Sequence, residues 1–209
     1  MSKTVTILSK DTIKLTVKKL AQEIDAAYEM SNDEPLALVG ILSGAAYFLV
    51  DLSRELTIPH SVHFIQAASY HNIHQENITI NGLPSKDLNS IKDRKIIVVD
   101  ELYDNGKTLE SVVTYLCMNG IEESQVKTCV VFRKNRRGKC DHPPPDYCGV
   151  DNLPDVWFIG YGLDDNGTKR NLEQLIGVAK PSGVPVSEDE VIFTCTHTYM
   201  DMYNKFNSF

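Results

Sequence analysis

The stretch IIVVDELYDNGKT, residues 96–108, decides how the rest of the chain is read. Its first half is an uninterrupted apolar run that ends in two acids, Asp100 and Glu101, the pattern of a strand buried on both faces. The YDNG that follows reads as a turn, and KTLESVVTYLCMNG has the spacing of an amphipathic helix stopped by Gly120. In open α/β sheets ligands bind beyond the carboxyl ends of the strands, which is where this stretch puts its polar residues. Gly106, Lys107 and Thr108 open the helix, so backbone N–H groups and the positive dipole end face the loop, ready for a phosphate. Asp100 and Glu101 sit at the strand terminus, where carboxylates accept hydrogen bonds from vicinal ribose hydroxyls. Diol acceptors beside a phosphate cradle describe ribose 5-phosphate.

Outward from this block the pattern repeats. LALVGILSG is a short apolar run closed by Gly44, and AAYFLVDLSREL continues with helix periodicity. SVHFIQAAS and VKTCVVF read as further strands, DVWFIGYGLDD as another, followed by a short helix around RNLEQL and a small strand, IGVA. Near the start, Thr16 precedes Val17, Leu20, Ile24 and Tyr28, which predicts a helix with Thr16 as its N-cap. Strands alternating with helices predict an α/β fold, a mainly parallel central sheet flanked by helices. The polar stretch 69–90 has weak periodicity and reads in part as a mobile loop, with a possible short strand at ENITI.

Composition removes several classes. Lys and Arg total 21 against 28 Asp and Glu, a net charge of −7, so a polyanion binder driven by overall charge, nucleic acid included, is disfavoured. No apolar run approaches the roughly 20 residues of a membrane span, and MSKTVTILSK lacks the apolar core of a signal peptide. A cytoplasmic protein is expected. The five cysteines form no C-x-x-C pair, so reduced thiols are expected, and the sequons at Asn77 and Asn166 read as chance. Cys140, His142 and Cys148 cluster in CDHPPPDYC without a local fourth ligand, which favours a Pro-rich surface loop over a zinc site. The run RKNRRGK, residues 133–139, reads either as a solvated loop or as a phosphate contact.

Competing motifs fail on spacing. A Walker A loop needs glycine where Glu101 stands, a dinucleotide fingerprint starting at Gly160 and Gly162 needs glycine where Asp165 stands, and an EF-hand needs glycine where Lys169 stands.

VVDELYDNGKT together with three further motifs resembles the hypoxanthine-guanine phosphoribosyltransferases, over about Leu36 to Ala179. The resemblance implies a type I phosphoribosyltransferase fold with a small hood or lid region. It also implies a reaction: hypoxanthine or guanine plus 5-phosphoribosyl 1-pyrophosphate (PRPP) gives IMP or GMP plus pyrophosphate, in purine salvage. Within the first motif Asp104 matches the family's acid-base aspartate, and Asn105, Gly106, Lys107 and Thr108 match the 5′-phosphate loop, with Asn105 where threonine or serine is usual. Leu42, Ser43 and Gly44 match the pyrophosphate loop, which in the family sometimes contains a cis peptide, and Ser43 replaces a frequent lysine. Ser69 and Tyr70 match the catalytic lid, expected at about 69–80, which excludes water from a carbocation-like ribosyl centre.

In VVFRKN the resemblance puts Arg133 on the exocyclic oxygen of the purine, with Lys134 beside it, the two basic types exchanged relative to the family. Trp157 matches the aromatic that stacks on the base and Phe158 the residue whose backbone reads its edge. Asp164 matches the carboxylate that helps hold a magnesium ion (Mg2+), with Asp100 and Glu101 as further candidates, and Arg170 the guanidinium on pyrophosphate.

Rival readings stay open at this point: a non-catalytic module that senses nucleotides or PRPP, and a transferase that prefers xanthine. Residues 1–179 are expected to form the transferase domain. Residues 180–209 are expected to form a linker and an aromatic tail that packs on the body or on a partner in a homodimer or homotetramer.

Overall fold

The computed structural model describes residues 4–28, 35–72, 75–135 and 142–178, and the side chains of 68–77 are not among those described. The tail 180–209, Cys140 and most of the basic run therefore lie outside the described residues. The central sheet has six strands in the order β4-β3-β2-β5-β6-β7. These are β2 (Leu36–Leu42), β3 (His60–Asn72), β4 (Gln75–Asn81), β5 (Ile96–Tyr103), β6 (Val126–Lys134) and β7 (Tyr147–Leu153). β3, β2, β5, β6 and β7 run parallel, and β4 is the antiparallel edge. The apolar runs of β2 and β5 are buried on both faces, as an inner parallel strand requires.

One face is covered by α1 (Lys10–Tyr28) and α2 (Ala46–Glu55), the other by α3 (Ser85–Ile91) and α4 (Lys107–Met118). α4 closes as its sequence predicts: Gly120 donates to Cys117 O at 3.0 Å and Ile121 to Leu116 O at 3.2 Å. A second sheet of three strands, ordered β1-β9-β8, forms the hood from β1 (Thr4–Leu8), β8 (Trp157–Ile159) and β9 (Leu175–Val178). It is joined to the main sheet by apolar contact. Phe132 of β6 is fully buried and meets Tyr161 edge to face, centroids 5.9 Å apart at 67°, and burying a ring of this size contributes about 1.5–3 kcal/mol.

Four expectations change. α1 starts at Lys10, six residues before Thr16: Ser9 Oγ accepts from the Thr12 N–H at 3.2 Å, and Ile13 extends the buried stripe by a turn. Thr16 is interior and returns its hydroxyl to Thr12 O at 2.9 Å. After Ser69 the strand expected at ENITI is present within β4, and the part expected as a loop is paired with it in the β3–β4 hairpin, Ser69 opposite Ile78 and Tyr70 opposite Asn77, with α3 following. No helix forms around RNLEQL, where turns lead directly into β9. β7, read from sequence as part of a Pro-rich connection, is a full strand of the main sheet.

Candidate active site

The carboxyl ends of β2, β5 and β6 lie side by side, because all three strands are parallel neighbours of one sheet. At the end of β2 the Leu42–Ser43 peptide is cis, and Gly44 leads into α2. A methyl group at residue 44 would overlap the Glu101 carboxylate, and one at Gly162, whose φ is +99°, would overlap the Gly44 carbonyl. The two glycines thus let the first loop pass between the β5 acids and the segment after β8. Arg170 extends this line of contacts. Its guanidinium donates to Gly162 O at 2.6 Å and pairs with Asp164 at 2.7 Å, while the other Asp164 oxygen accepts from the Gly167 N–H at 2.7 Å. Leu42, Ser43, Gly44, Asp164 and Arg170 are therefore brought to one side of the β5 terminus.

Asp100 is only 8% exposed and accepts from the Glu101 N–H at 3.0 Å. Its carboxyl is pushed well above the usual carboxylate range, first by burial and then by the Glu101 carboxylate next to it. Beyond β5, Asn105 Oδ1 accepts from the Lys107 N–H at 3.1 Å. Asn105 thus makes an Asx turn before α4, and the Asp104 carboxylate lies 3.7 Å from the Lys134 ammonium. Gly106 takes φ +86°, a left-handed value that suits glycine, and α4 starts at the next residue, Lys107, followed by Thr108. Tyr103, buried under this turn, donates to the carbonyls of His142 and Pro143, each at 3.0 Å. His142, one member of the cysteine-histidine cluster, has Nδ1 2.6 Å from Glu110 Oε2 on α4.

The base side differs from expectation at Arg133. Side chains alternate along β6, so Lys134 shares the hood-facing side with Phe132, and Arg133 takes the opposite side. Arg133 is paired with Asp151 at 3.2 Å and lies 5.6 Å from the Tyr103 ring centroid. A bulge explains the pairing: Phe132 faces Val150 but Lys134 faces Leu153, so β7 carries an extra residue around Asp151 and Asn152, the latter at φ +60°. Lys134 has a side chain only 6% exposed, with Nζ 3.7 Å from Asp104, 3.6 Å from Asp155 and 5.3 Å from the Phe158 centroid. The side chain expected on the hood side, Arg133, turns instead to Asp151, and Lys134 occupies the hood side. Strand parity in the sequence does not find it, because Val131 and Phe132 are both fully buried and counting in twos from the first selects Arg133.

Trp157 is 50% exposed, although it begins a strand whose other two residues, Phe158 and Ile159, are buried. A half-exposed indole at the hood edge is available for stacking on a flat ligand. Ser69 and Tyr70 sit in β3, next to β2 in the sheet, and only their backbone is described.

Among the described residues no group of three or more His, Cys, Asp or Glu could hold a metal ion unaided, and no helix is long and apolar enough to cross a membrane. The acids present at the site, Asp100, Glu101 and Asp164, are hard oxygen donors, suited to a magnesium ion that keeps most of its coordination for waters and substrate oxygens.

Comparison with known proteins agrees over most of the chain. Residues 4–166 match the phosphoribosyl transferase domain. The hypoxanthine-guanine phosphoribosyltransferase of Aquifex aeolicus is 36% identical over 169 residues, 81% of this chain and 91% of that protein. The hypoxanthine-guanine-xanthine phosphoribosyltransferase of Tritrichomonas foetus is 32% identical, covering 84% and 91% of the two chains. A crystal structure of a hypoxanthine phosphoribosyltransferase from Staphylococcus aureus superposes with a TM-score of 0.72 at 27% identity, covering 85% of this chain and 91% of that one.

Proposed function

The chain belongs to the phosphoribosyl transferase family and is a purine-salvage enzyme of the hypoxanthine-guanine type, and from that premise we propose how its residues carry the reaction. The substrates are PRPP and a 6-oxopurine, and the products are IMP or GMP and pyrophosphate. The observation that carries this reading is the β5–α4 junction. There, a buried acid, Asp100, its half-buried neighbour Glu101 and a glycine-started helix offer ribose hydroxyl acceptors and a phosphate cradle within one continuous segment.

Asp100 and Glu101 hold the ribose hydroxyls and stabilise positive charge as it develops on the sugar. Gly106, Lys107 and Thr108 bind the 5′-phosphate, and Asn105 shapes that loop through its bond to the Lys107 N–H. The Leu42–Gly44 loop and Arg170 receive pyrophosphate. Trp157 stacks on the base, the Phe158 backbone reads its edge, and Lys134, in the place first expected for Arg133, donates to the exocyclic oxygen. Asp104, beside Lys134, relays the proton at N7 of the base. Ser69 and Tyr70 of the β3–β4 hairpin cover the centre and keep water from the activated sugar.

Enzymes of this type use metal ions. Magnesium fits here, held by Asp164 and substrate oxygens with Asp100 and Glu101 nearby, and when bound it neutralises charge on the departing pyrophosphate. The active unit is a homodimer or homotetramer, acting in the cytoplasm, with residues 180–209 as an accessory tail on a 1–179 transferase domain.

A pyrophosphate-release assay with PRPP, magnesium and each of hypoxanthine, guanine, xanthine and adenine tests the reading. Turnover is expected with the first two and none with adenine. Xanthine is a real second substrate candidate, because the similar Tritrichomonas foetus protein is a hypoxanthine-guanine-xanthine phosphoribosyltransferase. Binding of GMP or PRPP without turnover of any base would overturn catalysis in favour of a nucleotide sensor.

A further inference from the structure

Lys134 is an almost fully buried cation at the end of β6, and it lies between two carboxylates, Asp104 at 3.7 Å and Asp155 at 3.6 Å. A buried ammonium is tolerated only when paired. Under the proposed function Asp104 is engaged by the purine during the reaction, so during turnover it cannot also be the sole partner of Lys134. Asp155 has no part in that scheme.

Its backbone is nonetheless tightly held. The Val156 N–H donates to Pro154 O at 2.9 Å, a three-residue turn with Asp155 at its centre. The same connection is tied to the far side of the ion pair, because the Asn135 N–H, next to Lys134, donates to Leu153 O at 2.7 Å. Both ends of the Lys134–Asp155 contact are thus fixed to one short segment, two residues upstream of Trp157.

We propose that Asp155 is a positioning residue for base recognition: it anchors the Lys134 ammonium so that Lys134 stays oriented toward the purine while Asp104 turns to the ring nitrogen. The inference rests on the proposed function and deepens it. Without Asp155, Asp104 is the one remaining carboxylate of the pair, so Lys134 is drawn onto it and competes with the base for the same group. PRPP, held at the β5–α4 and β2–α2 loops, is unaffected.

The test is a double-mutant cycle on the full chain with hypoxanthine and guanine. Asp155→Asn is expected to raise KM for both bases about 10-fold, the size of one lost charge-assisted contact, while kcat and the PRPP KM hold within about 2-fold. In a Lys134→Ala background the same substitution is expected to change the base KM by less than about 2-fold, because its effect is transmitted through the ammonium. Asp155→Glu, which keeps the charge, is expected to restore most of the affinity. An equal cost of Asp155→Asn in both backgrounds, or an unchanged base KM in the parent background, would overturn the inference. If Asp155→Asn fails to fold, a base KM for Asp155→Glu as poor as that of Lys134→Ala would overturn it as well. A parent protein that releases no pyrophosphate with any purine would instead sink the proposed function and not this assignment alone.

Discussion

β5 and β6 are parallel neighbours, and the chemistry beyond their carboxyl ends is specified in different ways. After β5, acids, turn, glycine and helix start follow one another within nine residues, Asp100 to Thr108, and each acquires its position from the residue before it. After β6 two adjacent cations are sent to opposite faces, and which one enters the pocket depends on strand alternation and on a bulge in β7. The first arrangement is local and withstands changes elsewhere in the fold. The second is tertiary, and the sequence RKN alone does not reveal it.

The largest expected effect lies at the contact between the two ends. Asp104→Asn is expected to lower kcat by roughly 10²–10⁴-fold, the range for losing a positioned acid-base group, with little change in PRPP affinity by calorimetry. Unchanged turnover would remove Asp104 from proton transfer and leave it as a structural partner of Lys134.

Next in size is the contrast between the cations. Lys134→Ala is expected to raise the base KM by about 10-fold or more, since it removes a buried charged donor. Arg133→Ala is expected to leave base KM within about 2-fold and to cost at most about 1 kcal/mol of stability, because its pair with Asp151 is partly exposed. Steady-state kinetics and denaturant melts of the two variants distinguish them. The reverse ranking would restore Arg133 to the pocket and contradict the alternation along β6.

Legibility in the sequence follows the same division. The β2–α2 and β5–α4 units, the parallel sheet and the loop from Asp104 to Thr108 could be read because hydrophobic period and turn residues are local signals. The start of α1 is not legible, because Thr16 is an acceptable cap by type, whereas Ile13 one turn earlier already belongs to the buried stripe. β7 is hidden because Pro143, Pro144 and Pro145 mask a strand that begins two residues after them, at Tyr147. In the β3–β4 hairpin the alternating ENITI marks β4, whereas the polar end of β3 reads as a loop and only its pairing with β4 makes it a strand. Asp155 carried no signal at all, since its meaning depends on a lysine 21 positions earlier in the chain.

The smallest effect concerns what the β5 arrangement costs the fold. Asp100 keeps its carboxyl in a buried site beside Glu101, and its affinity for protons is raised well above that of a carboxyl in water. The folded chain therefore binds a proton at Asp100 over a pH range in which the unfolded chain, titrating near about 3.9, has already lost it. Stability falls as pH climbs from that value to the raised folded one, and above it the penalty is fully present. Asp100→Asn removes the charge while keeping the shape. It is expected to melt higher than the parent near about pH 8, by about 2–4 °C for each kcal/mol relieved, with the difference shrinking as pH is lowered toward about 4. A thermal-shift series across that range reads both the sign and the slope. A constant offset, or a variant that melts lower at alkaline pH, would mean that the ionised Asp100 is not a burden on the fold. A rise in melting temperature accompanied by lost turnover would show that the chain retains a destabilising acid at the strand terminus because the ribose requires it there.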